Sequence, residues 1–205
     1  MDLTCHDDGF WWPADDGWCH KVIHDELPDL DRAVSFAKGR SIAVQAGGNV
    51  GVWAAHLAKS FDRVVTVEPM ADNYACLCRN VPENVSHRPA ALGESRGSIA
   101  MRAVAGNAGA HYVDGAGEVE VVTIDGMNLA ACDLICLDVE GSEPMALRGA
   151  LSTIRTFRPV LMFEEKGLSE LYYGIPRGEA EKLVLGLGLG YRVRARVRKD
   201  VVLAC

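Results

Sequence analysis

The segment IAVQAGGNVG at residues 42–51 predicts a buried strand that ends in a glycine turn. Its first five residues form an apolar run with the length of a buried parallel strand, and apolar residues recur at helical spacing over 50–59. The glycines at 47, 48 and 51 permit positive φ angles and leave the turn without side chains. Backbone amides at the start of the helix are therefore accessible to a ligand.

The next apolar run, VVTVEP at 64–69, brings an acidic residue to the same edge of the predicted sheet. There Glu68 is placed to accept hydrogen bonds from both hydroxyls of a ribose. The glycine spacing lacks the Gly-x-Gly-x-x-Gly pattern of dinucleotide sites, and Gly51 is followed by Val52 and not by the Lys of a phosphate-binding loop. A tight turn without a ligand would explain the glycines alone, but Glu68 favours a ribose-bearing cofactor without a pyrophosphate, such as S-adenosylmethionine.

Length and composition predict one compact enzyme-sized domain. The chain has 205 residues, 49% of them hydrophobic and 24% charged, and we expect an aromatic-rich arm and helix over 1–40 followed by a single cofactor-binding domain over 41–205. The net charge of −7 argues against general affinity for nucleic acid or for an anionic membrane. The seven cysteines form no spaced disulfide framework, and no signal peptide or membrane-length apolar run is recognisable, so we expect a reducing cytoplasm.

Strand and helix patterns alternate along the chain, which predicts an α/β fold with a doubly wound, mostly parallel sheet. Helices are expected at 27–38, 50–60, 71–80, 143–153 and 177–187. Parallel strands are expected at 42–46, 63–68, 85–91, 133–138 and 159–164. Two short extra strands, 98–103 and 118–123, flank a glycine-rich loop. The segment 191–205 predicts a C-terminal antiparallel hairpin with Arg192, Arg194, Arg196 and Arg198 on one face of its first strand.

A second motif, DLICLDVEGSE at 133–143, places two acids after a buried strand. Asp138 and Glu140 would reach the carboxyl edge of the sheet, where open α/β folds bind ligands, and Glu140 is also a candidate cap for the next helix. Together with the glycine turn, the Glu-Pro pair at 68–69 and Asn73, this motif resembles the FkbM-type S-adenosylmethionine-dependent methyltransferases. Their pattern includes Asp-x-Gly-Ala-Asn-x-Gly, Glu-Pro and Ile-Asp-Val-Glu-Gly-Ala-Glu, and the resemblance covers about residues 42–165.

The resemblance implies a Rossmann-like class I methyltransferase fold, with a seven-stranded sheet whose last two strands form a hairpin. It also implies a set of cofactor-binding residues: Gly47, Gly48, Asn49 and Gly51 at the methionine part, Glu68 with Pro69 at the ribose, Ala90 and Ala91 near the adenine, and Asp138 below the methyl group. The family's first acid is Gln45 here. An amide can still hydrogen-bond the methionine ammonium but lacks the charge attraction, which keeps a non-catalytic cofactor-binding protein as an alternative.

The chemistry of methyl transfer narrows the catalytic candidates. A sulfonium methyl is already electrophilic, so the protein has to align a nucleophile and, for a hydroxyl, remove its proton. The candidates are Asp138, Glu140, Glu164 and His111. We favour Asp138, because Glu140 is also a candidate helix cap and a lone loop histidine is usually solvated.

The acceptor is narrowed by a motif that the chain lacks. The Asp/Asn-Pro-Pro-aromatic motif of base N-methylation is absent after the fourth main strand, which favours an oxygen acceptor on a small molecule or saccharide. The arginine-rich strand keeps a macromolecular acceptor as a third function class.

Two metal sites are conceivable, and neither is predicted. Asp138 with the acids at 164–165 resembles the magnesium-binding acids of catechol O-methyltransferases, but carboxylates at strand ends are common without an ion. A zinc site can be drawn from the cysteines and histidines Cys5, Cys19, His20 and His24, although their spacing is irregular.

Three of the four tryptophans lie before the first helix, at positions 11, 12 and 18. Such side chains can close over a cofactor as a lid, or they can pack the N-terminal arm against the core. The sequence does not distinguish between the two.

Overall fold

The computed structural model describes residues 2–205, and a seven-stranded sheet lies at its centre. Numbered along the chain, its strands are β1 (Ile42–Ala46), β2 (Arg63–Val67), β3 (Val85–Arg88), β4 (Leu134–Leu137), β5 (Val160–Glu164), β6 (Arg192–Val197) and β7 (Asp200–Ala204). They lie in the order β3-β2-β1-β4-β5-β7-β6, and β7 runs antiparallel to the other six strands. The order reverses between β1 and β4, so a ligand crevice is expected at their carboxyl ends.

Helices cover both faces of this sheet. They are α1 (Cys19–Val22), α2 (Leu27–Val34), α3 (Val52–Leu57), α4 (Ala71–Asn80), α5 (Glu143–Arg148), α6 (Leu151–Phe157), α7 (Leu168–Tyr173) and α8 (Glu179–Leu185), with short 3₁₀ turns at Ile23–Glu26 and Asp125–Met127. Successive side chains of a strand point to opposite faces, so Ala43 packs with α2 and α3 while Val44 packs with α5 and α6. The doubly wound α/β prediction is confirmed.

Smaller strands lie outside the central sheet. Leu3–Cys5 and Trp11–Pro13 form an N-terminal hairpin that the sequence patterns did not predict. The strands Ala91–Leu92, Gly97–Ile99 and Val119–Val122 form a three-stranded sheet, and Met101–Arg102 pairs with Tyr112–Val113 inside the predicted glycine-rich loop.

Two predicted elements are interrupted. The strand expected over 85–91 stops before Pro89, which has no N–H for the ladder, and Ala91–Leu92 pairs with Val119–Val122 instead of extending the central sheet. The helix expected over 143–153 divides between α5 and α6. The carboxylate of Asp125 accepts the N–H groups of Ser152 and Thr153, at 2.9 and 2.7 Å, and so starts α6 as a separate helix.

The predicted basic face on the hairpin is wrong. A β-bulge shifts the register between Val193 and Ala195. Arg192 lies opposite Ala204 and Arg196 lies opposite Val201, two positions of β7 that are three residues apart. Residues an odd number apart in a strand face opposite sides, so the arginines divide between the two faces of the hairpin.

The N-terminal segment packs against the rest of the chain. Trp12 is fully buried in the same core as Leu30 and Trp53. The backbone N–H and carbonyl of Trp11 each bond the side chain of Asn80 at 2.8 Å, which ties the N-terminal hairpin to α4. Over residues 2–205, no helix combines the length and apolar character needed to cross a bilayer.

Candidate active site

A cavity of about 420 Å³ opens at the carboxyl ends of β1, β2 and β4. Its volume falls within the roughly 300–1,000 Å³ of small-molecule sites. The predicted site residues that line it are Gly47, Gly48, Asn49, Glu68, Pro69, Ala90, Ala91, His111, Asp138 and Glu140. Gln45, Gly51 and Glu164 lie behind this lining.

The glycine turn is packed tightly against β4. Gly47 has a φ of +78°, and a Cβ at this position would collide with the backbone carbonyl of Asp138. The N–H of Gly48 donates to the carbonyl of Val67 at 2.9 Å, which fixes the turn to the end of β2. The turn therefore brings its backbone to the cavity wall between β1 and β2.

Glu68 is buried at the end of β2 and is held by backbone donors. Its Oε2 accepts the N–H of Asn49 at 2.7 Å, and its Oε1 accepts the N–H of Met70 at 2.9 Å. Burial raises the pKa of Glu68 to about 7, against the opposing effect of these N–H groups. Each carboxylate oxygen has a further lone pair, so Glu68 can also accept a ligand hydroxyl.

Gln45 lies behind the turn. It is fully buried, its Nε2 donates to the carbonyl of Gly47 at 2.9 Å, and its Oε1 accepts the hydroxyl of Thr66 at 2.6 Å. Both ends of the amide therefore hold neighbouring strands and the turn. Its position gives Gln45 a role in the shape of the turn, whereas the sequence suggested direct contact with the cofactor's ammonium group.

An acid cluster lies at the other end of the cavity, where β4 and β5 end. Carboxylate oxygens of Asp138, Glu140 and Glu164 lie within 4.8 Å of one another. Lys199 Nζ is 2.8 Å from Glu164 and 3.4 Å from Asp138, and Lys166 Nζ is 2.9 Å from Glu164 and 3.2 Å from Glu140. Three carboxylates suit a divalent cation, but two ammonium groups already supply positive charge here.

Charges within the cluster shift one another's protonation. Burial, followed by the charges of Asp138 and Glu164, raises the pKa of Glu140 to about 7. For Lys199, burial opposes the charged form, but the same two carboxylates outweigh it and raise the pKa, so Lys199 stays charged. Asp138 Oδ1 is buried and has no hydrogen-bond partner among residues 2–205, whereas the Asp138 side chain as a whole is 19% exposed and lines the cavity.

Glu140 does not cap the next helix, the alternative role that the sequence offered for it. Glu143 Oε1 accepts the N–H groups of Val139 at 3.0 Å and Gly141 at 3.3 Å, which holds the turn that precedes α5. Glu140 has a φ of +52°, lines the cavity and contacts Lys166. Its carboxylate is therefore directed to the site and not to the helix.

His111 lies in the cavity wall with one ring nitrogen engaged. Its Nδ1 lies 3.0 Å from the backbone N–H of Val104 and accepts it, so the neutral ring carries its proton on Nε2. Burial lowers the pKa of His111. The remaining nitrogen is then a hydrogen-bond donor, which is unfavourable for a general base.

The cysteines and histidines from which a zinc site could be drawn are not grouped as metal ligands in the described residues. His20 pairs with Asp16 at 2.8 Å and His24 pairs with Asp8 at 2.9 Å. Within the described part of the chain, the acid cluster is the only grouping of three or more ligand-type side chains close enough to hold a metal.

The structure adds residues that the sequence patterns missed. Lys166 and Lys199 line the cavity, each at the end of a strand that the sequence did place. Tyr172, 37% exposed, also lines the cavity and stacks on Tyr112 with ring centres 4.0 Å apart. Of the tryptophans named from the sequence, Trp12 packs in the core, and Trp18 lines the cavity and is 59% exposed.

The strand order and the cavity at the point where that order reverses define a class I methyltransferase fold. The model of the methyltransferase FkbM domain matches residues 45–192. The chain belongs to the FkbM methyltransferase family, which confirms the resemblance in its sequence motifs. No curated protein matches the sequence.

Solved structures show the same fold. The methyltransferase FkbM from Methylobacillus flagellatus KT is 17% identical, with a TM-score of 0.58, over 92% of this chain and 60% of that one. The N-methyltransferase NodS from Bradyrhizobium japonicum WM9, solved with S-adenosyl-L-homocysteine, is 15% identical, with a TM-score of 0.51, over 97% of this chain and 91% of that one. This chain thus spans about 60% of the length of the FkbM structure. At these identities the likeness shows the fold alone.

Proposed function

We propose that this protein transfers a methyl group from S-adenosylmethionine to a hydroxyl oxygen of a small molecule or saccharide. The observation that carries the proposal is that one cavity joins the glycine turn and Glu68 to the carboxylates of Asp138 and Glu140. Membership of the FkbM family supports the methyl transfer, and the two ends of the cavity support separate places for cofactor and acceptor.

The cofactor end fits the proposed methyl donor. Glu68 has free lone pairs for the ribose hydroxyls, and Gly47 and Gly48 leave backbone at the cavity wall for the amino-acid part. Ala90 and Ala91 offer a small apolar surface for a flat base. When bound, the cofactor supplies an electrophilic methyl group, and the residues of the chain hold it in line with the acceptor.

Asp138 is our first choice for the group that takes the acceptor's proton. Its side chain lines the cavity and is 19% exposed, so part of the carboxylate group borders the space that an acceptor would occupy. Glu140 is the second choice, because a pKa of about 7 suits a base that works near neutral pH. Glu164, behind the lysines, is placed to hold Lys166 and Lys199 in position.

The two alternative functions, a macromolecular acceptor and a non-catalytic binding protein, have less support. The macromolecular acceptor was suggested by a single basic face that the bulge in β6 divides. The non-catalytic binding protein was suggested by Gln45, whose amide is engaged behind the turn. We keep a cytoplasmic location as a proposal, consistent with seven free cysteines.

A screen with isotopically labelled S-adenosylmethionine tests the proposal. Cell-extract metabolites and glycans are incubated with the protein, and products that gain a labelled methyl group are identified by mass spectrometry. We expect methyl ethers. Products labelled on an amine would show that the acceptor atom is nitrogen and not oxygen. Tight NAD binding without S-adenosylmethionine binding would contradict the methyltransferase assignment.

A further inference from the structure

A second, open cavity of about 940 Å³ is lined by Lys166 and Lys199, the two lysines that contact the acid cluster. We call it the basic groove; it lies between the end of β5, α8 and the turn that joins β6 to β7. Its cationic lining residues are Lys166, Arg177, Lys182, Arg196, Arg198 and Lys199, and its acidic lining residues are Glu165, Glu181 and Asp200. Because Lys166 and Lys199 are paired with the acid cluster, the excess of positive charge in the groove comes from its arginines and Lys182, in a chain with a net charge of −7.

The basic groove shares two lining residues with the cavity of about 420 Å³, which we call the catalytic cavity after its proposed function. Lys166 and Lys199 line both, and their ammonium groups contact Glu164. A molecule that lies in the groove therefore lies next to the carboxylates of the catalytic cavity, with these two lysine side chains between them.

The arginines of the groove have donors to spare. Arg177 is exposed, donates to the backbone carbonyl of Glu165 at 3.2 Å, and has no carboxylate in ion-pair range among residues 2–205. Arg198 is 3.4 Å from Asp29, and its side chain is 53% exposed. Each guanidinium has five N–H groups and exposed ion pairs are weak, so both arginines can bind an incoming anion.

The acids of the groove oppose an anion less than their number suggests. Asp200 is buried, and burial raises its pKa to about 8, which favours the neutral form at pH 7. Glu165 Oε1 accepts the N–H of Gly178 at 3.1 Å, and Glu181 is paired with Arg196 at 2.7 Å.

We propose that the basic groove binds an anionic group of the methyl acceptor, a phosphate, sulfate or carboxylate, while the hydroxyl to be methylated lies in the catalytic cavity. This rests on the proposed methyltransferase function and specifies its substrate class. A small acceptor with one or two negative charges fits, because the net charge of −7 repels a long polyanion while the groove attracts a local one.

Side-chain NMR of the arginine Nε–H groups tests this site without knowledge of the acceptor. Protein saturated with S-adenosylhomocysteine is titrated with inorganic phosphate, sulfate, glucose 6-phosphate and uncharged glucose. We expect the anions, and not glucose, to shift the signals of Arg177 and Arg198. The double variant Arg177→Gln/Arg198→Gln should weaken glucose 6-phosphate binding about tenfold or more.

Arg155→Gln/Arg192→Gln is the matched control, because it also removes two positive charges, and both arginines are exposed and outside the groove lining. Equal weakening by this control would show general charge attraction and overturn the proposal, as would anions that shift neither arginine. If a single-stranded oligonucleotide displaces glucose 6-phosphate at a concentration below that of the sugar phosphate, the acceptor is a nucleic acid and the proposal of a small acceptor is overturned. Binding of S-adenosylhomocysteine is measured separately in the wild type and in every variant. A wild type that does not bind it would contradict the proposed methyltransferase function, whereas loss of anion binding alone would contradict the proposed role of the groove.

Discussion

The two ends of the catalytic cavity are built in different ways. At the proposed cofactor end, the carboxylate of Glu68 is held by two backbone N–H groups, one from Asn49 just after β1 and one from Met70 just after β2. At the proposed acceptor end, carboxylates are held by two lysine side chains: Lys166, two residues after Glu164, and Lys199, from the turn between β6 and β7 and also 3.4 Å from Glu26. Backbone contacts survive most substitutions and side-chain contacts do not, so we infer that the acceptor end is the part of this fold that can change specificity.

The largest expected effect separates chemistry from binding. Asp138→Asn keeps the shape of the side chain but removes the proton acceptor, so methyl transfer should fall by about 100-fold or more while cofactor affinity is mostly retained. Turnover on the identified acceptor and calorimetry on S-adenosylhomocysteine measure the two. Asp62→Asn, at an exposed site, is the control. Near-normal turnover of the Asp138 variant would move the base to Glu140.

A change at Gln45 sharpens the comparison at the cofactor end. Gln45→Asp cannot donate to the carbonyl of Gly47 and leaves a buried carboxylate there, so unfolding free energy should fall by about 3 kcal/mol, with no gain in cofactor affinity. Urea unfolding and calorimetry check this. Tighter S-adenosylmethionine binding by the variant would instead place position 45 in contact with the cofactor.

The glycine turn provides a test of backbone construction. Gly47→Ala adds a Cβ that collides with the carbonyl of Asp138, whereas Gly115→Ala, at a similar φ of +84°, meets nothing within 4 Å. The difference in unfolding free energy between the two variants should be about 2 kcal/mol, since both carry the cost of a positive φ. Equal losses in urea unfolding would mean that the turn does not depend on its contact with β4.

The smallest expected effect concerns pH and the turn after β4. Burial raises the pKa of Glu143 to about 8 from an ordinary 4.5, so the folded state keeps a proton that the unfolded chain loses as pH rises between those values. Stability is therefore lost across that window. Glu143→Gln keeps an acceptor for the same N–H groups and should be more stable than the wild type by on the order of 1–2 kcal/mol at pH 9, with no gain at pH 4. Parallel stability curves at both pH values would contradict a buried neutral Glu143.

Local sequence patterns predicted what local physics determines. The strands β1 and β5, and helix α4, lie within one residue of their predicted bounds, because apolar runs and periodicity are properties of single segments. The N-terminal hairpin was missed because strands of three residues are too short to show alternation. The division between α5 and α6 depends on Asp125, which is distant along the chain.

The site shows the same division. The glycine turn, Glu68 and Asp138 follow from strand ends that meet at one edge of a parallel sheet. Lys199 could not be placed, because its contacts with Asp138 and Glu164 depend on where the C-terminal hairpin docks. The bulge in β6 could not be predicted from the sequence either, because one unpaired residue does not change the composition or the alternation pattern enough to be recognised.

Calorimetric titration of S-adenosylhomocysteine into the wild type and Glu68→Ala tests the central claim most directly. The wild type should bind, and the variant should bind more weakly by roughly 1–3 kcal/mol, because it loses the charge-assisted hydrogen bonds to the ribose while the fold is retained. Circular dichroism of both proteins checks the fold. Equal affinities would remove Glu68 from the cofactor site, and a folded wild type that does not bind would contradict the methyltransferase account.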